Sequence, residues 1–246
     1  MKKELFIVRK LLPVLTIMIV SILLTGCLYP QSELAKNQVP NDAQLEMVQT
    51  AVDEYRKKTN GLLPIKTKES DVPDYEKYLI DFVVLKEEQL ITDIPGTAYE
   101  NGGVYQYTII NPEDDPKVKV IDLQITEQLR GVNLKLNQYR VENTYPPFGE
   151  QIEPGVFQLN AEKLGYKSAP YVVSPFTNEN LPFVLDQQGE LYVDYRIDLK
   201  RALEEYEHSF ENGDDIRGIL EDNYPIVPAY SLPYTIENDE PVFLVK

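Results

Sequence analysis

Hydrophobic and polar positions follow three patterns along this chain. Leu11 to Leu24 is an almost unbroken apolar block. Further on, Leu45, Val48, Val52 and Tyr55 follow at steps of three, four and three, the spacing of one face of an α-helix. Asn41 with Gln44 three residues on reads as a capping box. Lys57 and Lys58 suit the negative end of the helix dipole, and Gly61 supplies a left-handed stop. The spacing returns at Leu129, Val132, Leu136 and Tyr139, where Tyr139-Arg140 repeats Tyr55-Arg56. It returns again, shortened, at Leu199, Leu203 and Tyr206, with Arg196 in the place of the leading leucine. Helices of this length are marginal alone, so each stripe predicts a packing partner.

Between these helices the period changes to two. Val104 to Ile109 and Val118 to Ile121 flank the polar stretch from Pro112 to Pro116, which predicts two strands and a hairpin loop. Asn178 to Leu185 leads through Gln187-Gln188-Gly189 into Leu191 to Ile197, a second hairpin. Short helices are expected over residues 75–89 and 156–164. Ser174-Pro175-Phe176 pairs with Ser231-Leu232-Pro233-Tyr234, and Asn178 through Val184 pairs with Asn238 through Phe243. Recurrence of one plan predicts duplication. The expected fold is α+β, built of tandem small units at 41–124, 125–198 and an abbreviated 199–246. Each is a helix plus short antiparallel strands.

The amino end carries Lys2, Lys3, Arg9 and Lys10 against Glu4, then the apolar block, then Leu24-Thr25-Gly26-Cys27. That order is a secretory signal over residues 1–26, and the block is too short for a comfortable membrane span. Leu24-Thr25-Gly26-Cys27 resembles the lipobox of bacterial lipoproteins. The resemblance implies recognition by signal peptidase through Leu24, Thr25 and Gly26, and diacylglycerol on the Cys27 thiol. It further implies palmitate-type acylation of the new amino terminus, and no cofactor other than this covalent lipid. Cys27 is the only cysteine, so it has no disulfide role within the chain. Residues 27–40, with Pro30 and Pro40, read as a lipid-anchored tether. The expected address is the cell membrane, on its outer, extracytoplasmic face.

Charge narrows the partners. Loss of residues 1–26 removes four basic residues and one acid, moving the net charge from −16 to −19. Such a field disfavours nucleic acid and anionic lipid. Membrane contact is therefore expected through acyl chains alone. With 43% hydrophobic residues, 17 Tyr and 8 Phe, the chain has material for real cores.

Candidate chemistry is sparse. The sole histidine, His208, stands among Glu204, Glu205 and Glu207 at the expected solvated end of a helix, and no nucleophile elbow accompanies it. Glu113-Asp114-Asp115 and Asn212-Gly213-Asp214-Asp215 lack the alternating ligands of a calcium loop. No catalytic or metal residues are assigned. Tyr145, Phe148, Tyr171, Tyr192 and Tyr195 are the candidate binding surface, for an envelope protein, peptide or glycan, because tyrosine joins contact area to a polar tip.

Two resemblances complete the reading. The helix ending Tyr55-Arg56-Lys57-Lys58-Thr59-Asn60-Gly61-Leu62-Leu63-Pro64, followed by Asn101-Gly102 and Tyr105-Gln106-Tyr107, is similar to the globular part of type II secretion pseudopilins. This implies only a helix with a small sheet. The whole chain, with its lipobox, Cys27-Leu28-Tyr29-Pro30 and Gly61-Leu62-Leu63-Pro64-Ile65-Lys66, resembles Bacillus-type lipoproteins of the YphF kind. That implies a Gram-positive envelope protein and carries over no functional residues. The function expected is a non-enzymatic binding or scaffold module. The alternatives are an envelope hydrolase using carboxylates and the solute-binding component of a transporter.

Overall fold

The computed structural model describes residues 42–66 and 72–244. The signal, the lipobox, the tether and Asn41 of the expected capping box lie outside them. The described chain is α+β.

Helix α1 (Asp42–Lys58) buries Val48 and Val52 of the stripe read from the sequence, together with Ala51, packs the half-buried Leu45 and Tyr55 on the same core, and ends in Arg56, Lys57 and Lys58. Gly61 closes it at φ +105°, its N–H bonded to Arg56 O at 2.8 Å. The helix lies on the hairpin of β1 (Tyr105–Ile110) and β2 (Lys117–Asp122), paired from Tyr105 with Asp122 to Ile110 with Lys117. Gln49 clamps the two together. Its side chain donates to Pro116 O at 3.0 Å and accepts from Val118 N–H at 2.7 Å.

Single bridges widen this hairpin on both sides. Leu79 pairs with Thr108 and Ile80 with Ile65, while at the other edge Ile226 runs parallel to Val120. Strand alternation then divides the side chains between faces. Tyr107, Ile109, Val118, Val120 and Ile226 join Val48 and Phe82 in one core, whereas Ile110, Ile121, Val227 and Ala229 pack with Tyr75 in another.

The helix expected over residues 75–89 is two helices, α2 (Asp74–Lys77) and α3 (Phe82–Glu87). The sheet takes the backbone between them, since Ile80 N–H donates to Tyr107 O and Ile109 N–H to Tyr78 O, both at 3.0 Å. Asp81 then caps α3, accepting from Val83 N–H at 3.0 Å.

Asp122 ends β2 and caps α4 (Leu123–Asn143), accepting from Gln124 N–H at 2.8 Å. Ile125, Leu129, Val132 and Leu136 of α4 are buried. They pack with an antiparallel sheet of β3 (Phe148–Glu153), β4 (Val156–Leu159), β5 (Tyr171–Val173), β6 (Asn180–Leu185) and β7 (Leu191–Val193). Its order is β3-β4-β6-β5, with β7 also on β6. Residues 156–164 are thus not the expected helix. Val156 to Leu159 pair as a strand, with Phe157 opposite Leu185, and only Glu162–Leu164 turn as a 3-10 helix. The β6–β7 hairpin turns through Gly189 at φ +75°. Its second strand stops at Val193 because α5 (Arg196–Glu205) begins three residues later.

Helix α6 (Gly218–Asn223) and the hairpin of β8 (Tyr234–Glu237) and β9 (Glu240–Phe243) complete the chain. The β8–β9 turn places Asn238 and Asp239 at positive φ, the requirement of a tight hairpin turn. Leu199, Ile216, Leu220 and Tyr234 share one core with the buried residues of α4 and the five-stranded sheet.

Candidate functional site: a cleft between the first hairpin and the carboxy-terminal segment

The carboxy-terminal segment returns to the first hairpin. Val120 N–H donates to Pro225 O and Val227 N–H to Val120 O, each at 3.0 Å, so residues 225–227 run beside β2. From β2, Lys119 reaches the end of α6. Its Nζ donates to Tyr224 O at 2.8 Å and closely to Glu221 O, where a cation meets the negative end of the helix. These bonds hold α6 against the hairpin and leave a cleft of about 430 Å³ beside it.

Tyr75 and Tyr78, around the end of α2, line the cleft with Ile109 and Ile110 of β1. The hairpin loop Asn111-Pro112-Glu113-Asp114 forms one side, turning through Asn111 at φ +49°. Asp215, Arg217 and Glu221 form the other. Arg217 is held in a two-pronged pair with Asp215, Nε to Oδ1 at 3.1 Å and Nη2 to Oδ2 at 2.6 Å. Its guanidinium also lies 5.2 Å from the centre of the Tyr75 ring.

The Tyr75 hydroxyl donates a short hydrogen bond to Glu221 Oε1. Burial pushes the Glu221 carboxyl above the usual carboxylate range, against the opposing pull of the Tyr75 hydrogen bond and Arg217. Burial also raises the Tyr75 phenol, which therefore stays a donor. Glu113 and Asp114 are exposed, and neither enters an ion pair among the described residues, whereas Asp115 pairs with Lys117 at 2.9 Å. The wall is fixed by ion pair and hydrogen bond. The rim is not.

The tyrosines singled out from the sequence lie elsewhere. Tyr145 and Tyr171 are half exposed. Phe148 is half-buried, its ring 4.7 Å from that of Phe157. Tyr192 is half-buried beside Asp186, with its phenol pushed up to about 12 by burial and that carboxylate. Tyr195 is fully buried and belongs to the core, its hydroxyl donating to Ala229 O at 3.0 Å. These five residues therefore do not share one exposed face. Cys27, Leu24, Thr25 and Gly26 lie outside the described residues.

His208 lies beyond the end of α5, exposed, with its ring 5.8 Å from Phe210. Asp214 accepts from Glu211 N–H and Asp215 is engaged by Arg217, so the second acidic loop is internally bonded. Among the described residues no group of three or more His, Cys, Asp or Glu is placed to hold a metal ion. None of the described helices is long and apolar enough to cross a membrane.

Sequence reading did not find the cleft. Tyr75 and Glu221 stand 146 positions apart, and neither sits in a motif. The only local signals were the two acidic loops, both of which contribute to it.

The family model of the YphF family N-terminal domain matches residues 41–122. No curated protein and no solved structure matches the chain. The matched segment supplies Tyr75, Tyr78 and the loop to Asp114, whereas Asp215, Arg217 and Glu221 come from beyond it. Residues 41–122, one third of the chain, are thus similar to the YphF family N-terminal domain.

Proposed function

We propose that this protein is a lipid-anchored binding module of the cell envelope, held outside the membrane by acylated Cys27, and that it receives its partner in the cleft lined by the loop Asn111-Pro112-Glu113-Asp114, Tyr75 and Arg217. One observation carries the reading. Two segments far apart in sequence, 75–114 and 215–221, converge on a cavity of about 430 Å³, within the roughly 300–1,000 Å³ typical of ligand sites. One wall is locked before any partner arrives, and such preorganisation lowers the entropy lost on binding.

The commitments of the carboxylates favour binding over hydrolysis. Glycoside hydrolysis needs two free carboxyl groups flanking the scissile bond. Both Asp215 oxygens are engaged by Arg217, and Glu221 holds Tyr75. Glu113 and Asp114 are neighbours on a single loop.

The test is a photo-crosslinking amino acid placed at Tyr78 of the full chain in native membranes, with the same residue at exposed Leu134 of α4 as control. An adduct of discrete mass at position 78, absent from the control, supports the reading. The same adducts at both positions, or none at 78, would overturn it.

A further inference from the structure

The lining of the cleft narrows the class of ligand, an inference that rests on the binding reading. Four carboxylates face one cation there: Glu113, Asp114, Asp215 and Glu221 against Arg217. Asp215 takes up the Arg217 charge in the two-pronged pair. Glu113, Asp114 and Glu221 remain without a salt-bridge partner among the described residues. Other cations on these elements are committed elsewhere, Lys117 to Asp115 at 2.9 Å, Lys119 to the carbonyls closing α6 and Lys77 to the ring of Tyr78 at 5.4 Å. Glu221 has given only Oε1 to Tyr75. Ile109, Ile110 and Pro112 add an apolar side to the same space.

We propose that the cleft takes an ammonium group on an alkyl stem, the lysine-type side chain of a peptide, with the charge against Glu221 Oε2 and the rim carboxylates and the methylenes along Pro112 and Ile110. A divalent cation fits less well. It needs six to eight oxygen ligands, and Arg217 already holds a fixed positive charge in the wall. A bare apolar group would leave three carboxylates desolvated and unpaired.

The experiment titrates the isotope-labelled full chain in detergent, at physiological salt, with acetyl-Ala-Lys-Ala-amide. The isosteric norleucine peptide and the glutamate peptide run in parallel. The lysine peptide is expected to move the amide resonances of Tyr78, Ile110, Asn111 and Glu221, and the other two to leave them in place. Glu221→Gln, which keeps an oxygen for Tyr75, should weaken the lysine peptide about tenfold, the effect of losing one charged hydrogen bond. Glu162→Gln, which removes an equal charge outside the cleft, should change binding little. Equal weakening by Glu162→Gln would reduce the effect to the general acidic field and overturn the inference. Equal shifts from the norleucine peptide would overturn the ammonium and leave the cleft as the binding site. No shift from any peptide would also overturn it, while crosslinking at position 78 decides the binding reading separately.

Discussion

Glu76 of α2 accepts the backbone N–H of Tyr230 at 3.3 Å, joining positions 154 residues apart. Tyr230 is held at φ +59° and is bonded on every side. Its carbonyl accepts from Val193 N–H at 2.8 Å, and its hydroxyl pairs with Thr126 Oγ1 at 3.0 Å. Helix α2, α4 and the five-stranded sheet therefore meet at one residue in a left-handed conformation.

This contact predicts a pH dependence. Burial pushes the Glu76 carboxyl up to about 7 from 4.5, against the smaller opposing effect of the Tyr230 bond. A carboxyl raised in the folded state binds its proton more tightly there than in the unfolded chain. Its stabilising contribution is therefore full below about pH 4.5 and is lost as pH rises through about 7. Glu76→Gln keeps an acceptor for Tyr230 and removes the titration. The variant should match wild type near pH 4.5 and exceed it by about 1–3 kcal/mol at pH 8. Urea unfolding of both proteins across that range checks it. A wild-type excess at pH 8 would reverse the sign and refute the assignment.

Two adjacent glycines should respond differently to alanine. Gly102 sits at φ +81° with open space where a Cβ would go, so Gly102→Ala meets only backbone strain, about 1 kcal/mol. Gly103 lies against the backbone of Thr97, where a Cβ would come within 2.1 Å of the carbonyl carbon and oxygen. That carbonyl accepts from Tyr105 N–H at 3.1 Å, and Gly103 N–H donates to Ala98 O at 2.9 Å, so neither chain can retreat without losing β1. Gly103→Ala should cost about 3 kcal/mol or more. Thermal melts of the two variants should rank in that order, and equal melting temperatures would show that the turn yields.

What was legible in the sequence was local. The stripes of α1 and α4 and the turn of β6–β7 stood out because each signal repeats within a few residues. The parallel run at 225–227 did not, since the two residues between Pro225 and Pro228 are too few to show period two. Tyr195 read as a surface residue because its exposure is decided by Ala229 and Tyr234, distant in sequence and bonded to it at 3.0 and 2.9 Å.

Arg196 shows the difference most sharply. In the repeat it stands where a leucine is expected. In the fold it opens α5, paired two-pronged with Asp194 and bonded to Glu153 at 3.0 Å, its guanidinium 4.7 Å from the centre of the Phe243 ring. Glu153 in turn accepts from Phe243 N–H at 2.8 Å, which ties β3 to β9. Arg196→Leu restores the stripe and leaves Asp194, whose side chain is only 6% exposed, without its cation. The change should destabilise by about 3–5 kcal/mol, as expected when one partner of a buried pair is removed. Adding Asp194→Leu should recover part of that loss. Failure of the double variant to exceed Arg196→Leu would show that the pair is not what stabilises this corner.

The last prediction concerns the anchor. A thioether-linked diacylglycerol and an acylated amino terminus give a membrane affinity that one chain alone does not, at about 0.8 kcal/mol per buried methylene. A net charge moving from −16 to −19 on cleavage supplies no attraction to anionic lipid in its place. Cys27→Ser removes the only thiol and with it the proposed site of attachment. The variant should appear either uncleaved, still carrying residues 1–26, or in the medium, and in both cases without fatty acid. Mass spectrometry of the amino-terminal peptide, with fractionation of cells and medium, distinguishes the two. Acylated, membrane-bound protein recovered from Cys27→Ser would mean that the chain is held by something other than this cysteine.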